Sequence, residues 1–206
     1  MSYGSQNIAV YSGSFNPLHI GHLAIIRHMI EVAGFDMVYL IVSPKNPLKD
    51  GISSDSGRER YKAAVEAVER RFLHSSLSAS GRNDSKASEA RVKVDDIELN
   101  MPEPHYTIRT LDALKEREPD NRFTLVMGAD NLADIRRWRD YARILKEFGV
   151  AVFPREGHDL TEIKQDLLKE DPAYMIQILD AEMVDISSTQ IREAIARGED
   201  ISHCLM

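Results

Sequence analysis

Residues 8–22 read IAVYSGSFNPLHIGH, and this stretch decides how the rest of the chain is interpreted. The apolar run 8–11 predicts a short buried strand, which the Ser-Gly-Ser turn at 12–14 ends. From residue 23 to residue 33, apolar side chains recur with helical spacing, and Gly34 is a suitable stop. A strand that passes through a glycine-containing turn into a helix is typical of a parallel sheet with helical crossovers.

The rest of the chain repeats this alternation. Further strands are predicted at 37–42, 92–99, 123–127, 150–153 and 175–179, and helices at 57–72, 106–117, 141–148, 160–169 and from 187 to Gly198. Residues 75–88 are rich in serine and lack apolar periodicity, so they predict a flexible surface loop. The expected fold is α/β: a doubly wound, Rossmann-like parallel sheet in one domain spanning residues 1–206.

Composition excludes several classes of protein. The 206 residues, 43% of them hydrophobic, are enough for one full core but too few for two independent domains. The net charge of −7 argues against nucleic acid as the main partner. No apolar run is long enough to cross a bilayer and no signal peptide is visible, so we expect no membrane association and a cytoplasmic location. A single cysteine, Cys204, excludes an intramolecular disulfide and a multi-cysteine metal site.

His19 and His22 lie between the first predicted strand and the first predicted helix. In open parallel sheets, ligands bind beyond the carboxyl ends of the strands, and a helix N-terminus offers N–H donors to a phosphate. Gly13 would let the backbone approach a ligand closely, and Gly21 would keep the space between the imidazoles open. Both imidazoles could then stabilise the charge that develops on a transferred phosphate. The alternatives are local capping or packing, and zinc binding, for which no third ligand lies nearby in sequence.

A second polar motif, ISSTQIR, occupies residues 186–192. Ser187 or Ser188 can cap the last helix, whose N-terminus would then face a triphosphate. Arg192, one turn further on, could bind a phosphate through its planar guanidinium group. Taken alone, the same residues could equally be a capping serine and a surface arginine.

Together, residues 19–22 (HIGH) and the ISSTQIR segment resemble the T/HxGH and ISSTxxR motifs of the nucleotidyltransferase superfamily. Class I aminoacyl-tRNA synthetases also carry HIGH, but they are much longer and have a KMSKS signature that is missing here. Residues 104–111 (PHYTIRTL) and 128–132 (GADNL) resemble the SYT…TL and GxDxL segments of bacterial nicotinate-nucleotide adenylyltransferases. Trp138 lies in a stretch similar to the tryptophan-containing segment that follows in those enzymes. The resemblance covers residue 8 to about residue 198.

The resemblance implies an adenylyltransferase of NAD biosynthesis that moves AMP from ATP to nicotinate mononucleotide, giving deamido-NAD and pyrophosphate with Mg²⁺. No protein nucleophile is needed, because the acceptor's phosphate attacks the α-phosphorus directly; positioning and charge neutralisation carry the catalysis. Three alternatives stay open. The acceptor could be nicotinamide mononucleotide or pantetheine phosphate, and the chain could instead be a non-catalytic nucleotide-binding module. The sequence does not specify the oligomeric state, and a homo-oligomer is compatible with it.

The resemblance also implies roles for individual residues. His19 and His22 would be the catalytic pair that holds the ATP phosphates, and Asp130 would contact the ribose. The backbone around Thr107 would receive the nicotinate carboxylate, and Trp138 would stack on the pyridine ring, although packing on a helix is its alternative role. The implied ATP-binding residues are Gly13, Ser14, Phe15, His19, His22, Gly128, Asp130, Ile186, Ser187, Ser188 and Arg192. The implied acceptor-binding residues are Asn16, Lys45, Lys49, Thr107, Trp138 and Arg155.

One loop departs from the family's pattern. Family members often carry a His–Lys pair in the loop after the second strand, whereas this chain has Leu48 where that histidine would be. Lys45 and Lys49 are therefore candidate phosphate contacts, and ordinary solvated lysines are the alternative. No protein metal site is implied, because Mg²⁺ would accompany ATP.

Overall fold

The computed structural model describes residues 4–44, 57–73, 91–181, 186 and 188–206. Within these residues, the strands β1 (Asn7–Gly13), β2 (Met37–Val42), β3 (Val92–Asp95), β4 (Arg122–Gly128), β5 (Val150–Phe153) and β6 (Ile176–Ile178) form one sheet. All neighbouring strands pair in parallel, in the order β3-β2-β1-β4-β5-β6. The strand order reverses between β1 and β4, which is the switch point where open α/β sheets bind ligands.

Helices connect the strands. They are α1 (Ile20–Glu31), α2 (Gly57–Val68), α3 (Thr107–Arg117), α4 (Ala129–Ala133), α5 (Tyr141–Arg143), α6 (Leu160–Glu170) and α7 (Ser188–Ala196). Wider π-helical turns at Glu69–Leu73 and Ile144–Phe148 follow α2 and α5, and 3₁₀ turns occur at Ile97–Asn100, Ile135–Arg137 and Ser202–Cys204. None of the helices in the described residues is both long and apolar enough to span a bilayer.

Two hydrophobic cores cover the two faces of the sheet. Successive strand residues point to opposite faces, so Ile8 and Val10 join one core while Ala9 and Tyr11 join the other. The first core includes residues of α3 to α6, and the second includes residues of α1 and α2. Burial on both faces explains why the central strands read as continuous apolar runs in the sequence.

The predicted α/β fold with a doubly wound parallel sheet is confirmed, but the predicted strand at 92–99 is wrong in its second half. The chain leaves the sheet after Asp95, whose carboxylate accepts a hydrogen bond from the backbone N–H of Ile97 at 3.1 Å. This Asx-type bond begins the 3₁₀ turn that takes the place of the strand. The predicted loop at 75–88 lies outside the described residues, and the single domain stays a prediction.

Candidate active site

The β1–α1 loop, residues 14–19, leaves the carboxyl end of β1 at the switch point of the sheet. Phe15 adopts a left-handed backbone conformation, with φ of 45°, which is unfavourable for a residue with a side chain. Its buried ring packs edge-on against Tyr11 and His22, with ring centroids 5.4 Å and 5.2 Å apart. A Cβ atom on Gly13 would lie 3.2 Å from that ring, so the glycine leaves room for Phe15. Aromatic packing therefore fixes the course of the loop.

His19 and His22 lie side by side at the start of α1, with ring centroids 3.7 Å apart. The backbone N–H of His19 donates to Nδ1 of His22 at 3.2 Å. Because Nδ1 of His22 accepts, the ring proton of the neutral imidazole lies on Nε2 and is available for a ligand. A Cβ atom on Gly21 would lie 3.0 Å from the His19 ring and 2.9 Å from Cγ2 of Ile186. The absence of a side chain at Gly21 thus lets both groups approach.

Both imidazoles are neutral at neutral pH. Burial lowers the pKa of His19 to about 4, and the positive charge of Arg155 contributes. Burial also lowers the pKa of His22 well below its usual value, and His19 and Arg155 contribute. Nδ1 of His19 is buried and faces the backbone N–H of His22 in a capping-box arrangement at the start of α1. The histidines therefore present hydrogen-bond donors and acceptors, while the charge nearby belongs to Arg155.

The charge of Arg155 acts on both histidines and on Tyr11, and the charge of Asp130 acts on Tyr11, although neither residue is near the β1–α1 loop in sequence. The guanidinium carbon of Arg155 lies 5.4 Å from the ring centroid of Phe153, at the end of β5. Asp130 lies in the first turn of α4, and a side chain on Gly128 would collide with its carboxylate. Burial raises the pKa of the Tyr11 hydroxyl, Arg155 lowers it and Asp130 raises it. The Tyr11 side chain is thus within electrostatic reach of both charged groups.

The ISSTQIR segment packs against the β1–α1 loop from the other end of the chain. The Ser188 hydroxyl donates to the carbonyl oxygen of Pro17 at 3.3 Å, across a sequence separation of 171 residues. The Arg192 guanidinium donates to the carbonyl oxygen of Asn16 at 2.8 Å and to the hydroxyl of Thr189 at 3.0 Å. The two motifs that were singled out in the sequence therefore meet.

The last residues of the chain also contact this loop. Leu205 forms an isolated antiparallel bridge with His19, and Met206 is buried in the core that α1 and α2 share. The β1–α1 loop is consequently held on one side by β1 and on the other by segments from the far end of the sequence.

Arg60 is a buried residue of α2 that the sequence interpretation missed. Its guanidinium donates to the carbonyl oxygens of Ser14, Ser43 and Pro44 at 2.7, 2.8 and 2.8 Å. It thereby joins the loop after β1 to the loop after β2. The available signal was the spacing of Arg60 with Ala64, because an arginine at the apolar position of an amphipathic helix is buried with it.

The start of α3 is the second part of the candidate site. No side chain of the described residues caps it: Tyr106 is at the N-cap position and makes no side-chain bond to the helix. Arg109 donates to the carbonyl oxygens of Pro102 and Pro104, at 3.1 and 2.7 Å, and so holds the preceding loop. Nδ1 of His105 is buried and lacks a hydrogen-bond partner within the described part of the chain. The first N–H groups of α3, beginning at Thr107, are therefore oriented for an anionic ligand.

Trp138 follows the 3₁₀ turn Ile135–Arg137 and is half-buried. Its ring packs against the core that contains Ile108 and Leu111 of α3. Packing, the alternative weighed from the sequence, thus accounts for one part of the ring, while the exposed part is available for stacking.

The described residues contain no group of three histidine, cysteine, aspartate or glutamate side chains that could hold a metal ion. Three of the predicted contacts, Lys45, Lys49 and Ser187, lie outside the described residues.

Comparison with known proteins identifies the family. A model described as cytidylyltransferase-like matches residues 10–194. A probable nicotinate-nucleotide adenylyltransferase of Flavobacterium johnsoniae is 35% identical over 200 residues, covering 97% of this chain and 92% of the relative. A relative of the same name from Bacteroides fragilis is 35% identical over 196 residues, covering 95% of this chain and 85% of the relative. The chain belongs to the nicotinate-nucleotide adenylyltransferases of the cytidylyltransferase-like family.

The fold of this chain is similar to that of a solved structure. Plasmodium falciparum nicotinic acid mononucleotide adenylyltransferase, complexed with NaAD, superposes with a TM-score of 0.70 at 19% identity. The match covers 96% of this chain and 87% of the parasite chain. The family model and the relatives of 35% identity confirm the family resemblance inferred from the HIGH and ISSTQIR motifs, while the roles of the individual site residues stay predictions.

Proposed function

We propose that this protein is an adenylyltransferase that transfers AMP from ATP to nicotinate mononucleotide, releasing deamido-NAD and pyrophosphate. The observation that carries the proposal is the meeting of the His19–His22 pair with the ISSTQIR segment at the switch point of the sheet. The names of the relatives, which bear this activity, support it. ATP is taken as its Mg²⁺ complex, so the ion arrives as part of the substrate.

The reaction is an in-line displacement. An oxygen of the acceptor's phosphate forms a bond to the α-phosphorus, the bond to the bridging oxygen breaks, and pyrophosphate leaves with the electron pair. Nε2–H of His22, whose Nδ1 accepts from the backbone of His19, would donate to a phosphate oxygen as negative charge develops there. Arg155, whose charge acts on both histidines, and Arg192, which donates to the Asn16 carbonyl, would supply positive charge to the phosphates.

Binding of the triphosphate would shift the pKa of the histidines. A nearby anion favours the charged form of an imidazole, which opposes the burial that lowers the pKa of His19 and His22. The negative charge of a bound triphosphate would therefore raise the pKa of both imidazoles. Neutral rings in the ligand-free protein avoid two buried like charges with centroids 3.7 Å apart.

The remaining site residues divide between nucleotide and acceptor. Gly13, Ser14 and Phe15 shape the loop under the phosphates, and Gly128 and Asp130 lie at the end of β4, where Asp130 would bind the ribose. The uncapped start of α3 at Thr107 would bind the nicotinate carboxylate, and the exposed part of Trp138 would stack on the pyridine ring. The Ile186 side chain lies next to Gly21, where a Cβ atom would be 2.9 Å from it. Lys45, Lys49 and Ser187 are proposed contacts to the phosphates of the substrates.

The test is pyrophosphate release from Mg²⁺–ATP with nicotinate mononucleotide, nicotinamide mononucleotide or phosphopantetheine offered separately. We expect release with the nicotinate acceptor and a preference over the amide of at least about tenfold, because N–H donors left unpaired penalise the amide. Release that is fastest with phosphopantetheine would contradict the proposed acceptor. A folded sample that binds ATP but releases pyrophosphate with none of the three would favour a nucleotide-binding module instead.

A further inference from the structure

A chain of side-chain hydrogen bonds centred on Glu98 joins β1, the residue after β2, the 3₁₀ turn Ile97–Asn100 and α3. The Ser43 hydroxyl donates to Oε2 of Glu98 at 2.5 Å, and the Thr110 hydroxyl donates to Oε1 at 2.8 Å. The hydroxyls of Ser12 and Ser43 lie 3.0 Å apart. A serine hydroxyl has one proton, and that of Ser43 is directed to Glu98, so Ser12 is the donor to Ser43. We call these four residues the Glu98 chain.

Glu98 has the burial of a core residue. Its side chain is only 3% exposed and that of Thr110 only 1%. Burying a carboxyl group is costly unless its oxygens are hydrogen-bonded, and here each oxygen accepts from a different hydroxyl. A well-packed apolar residue would serve stability as well or better. The retention of a carboxyl group with two fixed partners therefore indicates a geometric purpose.

The Glu98 chain connects the two halves of the site. On the phosphate side, Ser12 immediately precedes Gly13 in β1, and the backbone N–H of Ser43 donates to the Gly13 carbonyl at 2.9 Å. On the acceptor side, Thr110 lies three residues after Thr107, within one turn of the start of α3. Among the described residues, Glu98 accepts from both sides at once.

We infer that Glu98 is a positioning residue that fixes the acceptor-binding start of α3 relative to the phosphate-binding loop, an inference that rests on the proposed function. In-line displacement needs the attacking oxygen and the α-phosphorus aligned to within a fraction of an ångström. The two substrates bind to different elements, so their alignment depends on what joins those elements. One carboxyl group that accepts from hydroxyls on both sides sets this distance.

Asp95 provides a matched control. It is also 3% exposed, lies three residues before Glu98, and accepts from Arg117 at 3.1 and 2.7 Å. Arg117 is the last residue of α3, so Asp95 holds the end of the same helix that is opposite to the start at Thr107. D95N keeps a side-chain oxygen for the Ile97 N–H that begins the turn carrying Glu98, but it weakens the paired contact with Arg117, so it reports the loosening of the far end of α3.

The experiment compares E98Q, T110V, T110S and D95N by steady-state kinetics with both substrates varied. We expect E98Q and T110V to lower kcat/KM for nicotinate mononucleotide by about tenfold or more, while KM for ATP changes less than about twofold. T110S keeps the hydroxyl and should restore most of the loss. D95N should lower the melting temperature and leave both KM values within about twofold. Equal losses for both substrates, or the same kinetic change in D95N, would overturn the positioning role.

A second measurement does not depend on turnover. Hydrogen exchange of the backbone amides at 109–111, the first amides of α3 that are hydrogen-bonded, should be faster in ligand-free E98Q than in the wild type, and unchanged at the end of the helix. Unchanged exchange at the start of α3 would refute the inference. The two proposals fail in distinguishable ways. If the wild-type protein releases no pyrophosphate with any acceptor, the proposed function is wrong. If the wild type turns over normally and E98Q behaves like it, only the role of Glu98 is wrong.

Discussion

The β1–α1 loop is held by segments from both ends of the chain, whereas the start of α3 is held by its close sequence neighbours and by Glu98. Around the loop, His19, His22 and Phe15 are packed ring against ring, and Ser188 and Arg192 bind its carbonyl oxygens. The start of α3 is open and has no side-chain cap among the described residues. This difference suits the two ligands: a triphosphate needs many fixed contacts, while a carboxylate needs a few free N–H donors.

The largest expected effect on the phosphate side comes from removing the His22 side chain. We expect His22→Ala to lower kcat by a factor on the order of 10²–10³, because a hydrogen-bond donor to the developing charge is lost. The measurement is pyrophosphate release at saturating substrates, with circular dichroism to show that the fold is retained. His28→Ala, on the same helix but outside the loop, is the control and should keep normal turnover. A folded His22→Ala variant with near-normal kcat would show that His22 does not stabilise the transferred phosphate.

The next effect is the loss of folding stability at acidic pH that the buried His19 causes. The pKa of His19 is about 4 in the folded protein and near 6.5 when unfolded, so the unfolded chain binds a proton first as the pH falls. The free energy of unfolding should therefore decrease between pH 6.5 and pH 4, by up to about 3 kcal/mol from this residue. Urea denaturation at several pH values measures it. His19→Asn should make this pH dependence less steep, with the part due to His22 remaining; an equally steep curve in the variant would show that His19 does not contribute.

On the acceptor side, Trp138→Ala should raise KM for nicotinate mononucleotide much more than KM for ATP. Lost stacking and lost apolar area together correspond to about 1–3 kcal/mol. Initial-rate kinetics with each substrate varied gives both constants, and Trp138→Phe should retain most of the affinity. Equal increases in the two KM values would assign Trp138 a packing role only, as its contact with the core of Ile108 allows.

The smallest expected effect is that of the Tyr11 hydroxyl, on the phosphate side, on KM for ATP. Tyr11→Phe removes a hydroxyl within electrostatic reach of Arg155 and Asp130 and should raise KM for ATP by a few-fold, the worth of about one hydrogen bond. Tyr39→Phe is the matched control, since its hydroxyl donates to Glu118 at 2.9 Å on the other core face. If both variants leave KM for ATP unchanged, the Tyr11 hydroxyl makes no contact with the nucleotide.

The sequence predicted the parts of the molecule that depend on short-range pattern. Strands such as Met37–Val42 matched because burial on both faces gives an unbroken apolar run. The histidine pair could be placed because His19, Gly21 and His22 are neighbours in one helical turn. The strand predicted at 92–99 failed because a single hydrogen bond, from Ile97 to the Asp95 carboxylate, redirects the chain.

The residues that sequence reasoning missed act through tertiary contacts. The spacing of Arg60 with Ala64 indicates its burial, but its partners, the carbonyl oxygens of the loops after β1 and β2, are brought to it only by tertiary packing. Glu98 lies in a polar stretch of ordinary composition, and its partners Ser43 and Thr110 are 55 and 12 residues away. No local periodicity in the sequence predicts hydrogen bonds between residues so far apart.

The bond between Ser188 and Pro17 also bears on how the site is completed during synthesis. The HIGH segment is synthesised before the segments that support its loop through Ser188, Arg192 and Leu205. At about 5–20 residues per second, the 171 residues between Pro17 and Ser188 take roughly 10–30 s to translate. Over that interval a nascent chain carries His19 and His22 without these supports. The β1–α1 loop therefore gains its contacts with Ser188 and Arg192 only after the ISSTQIR segment has been made.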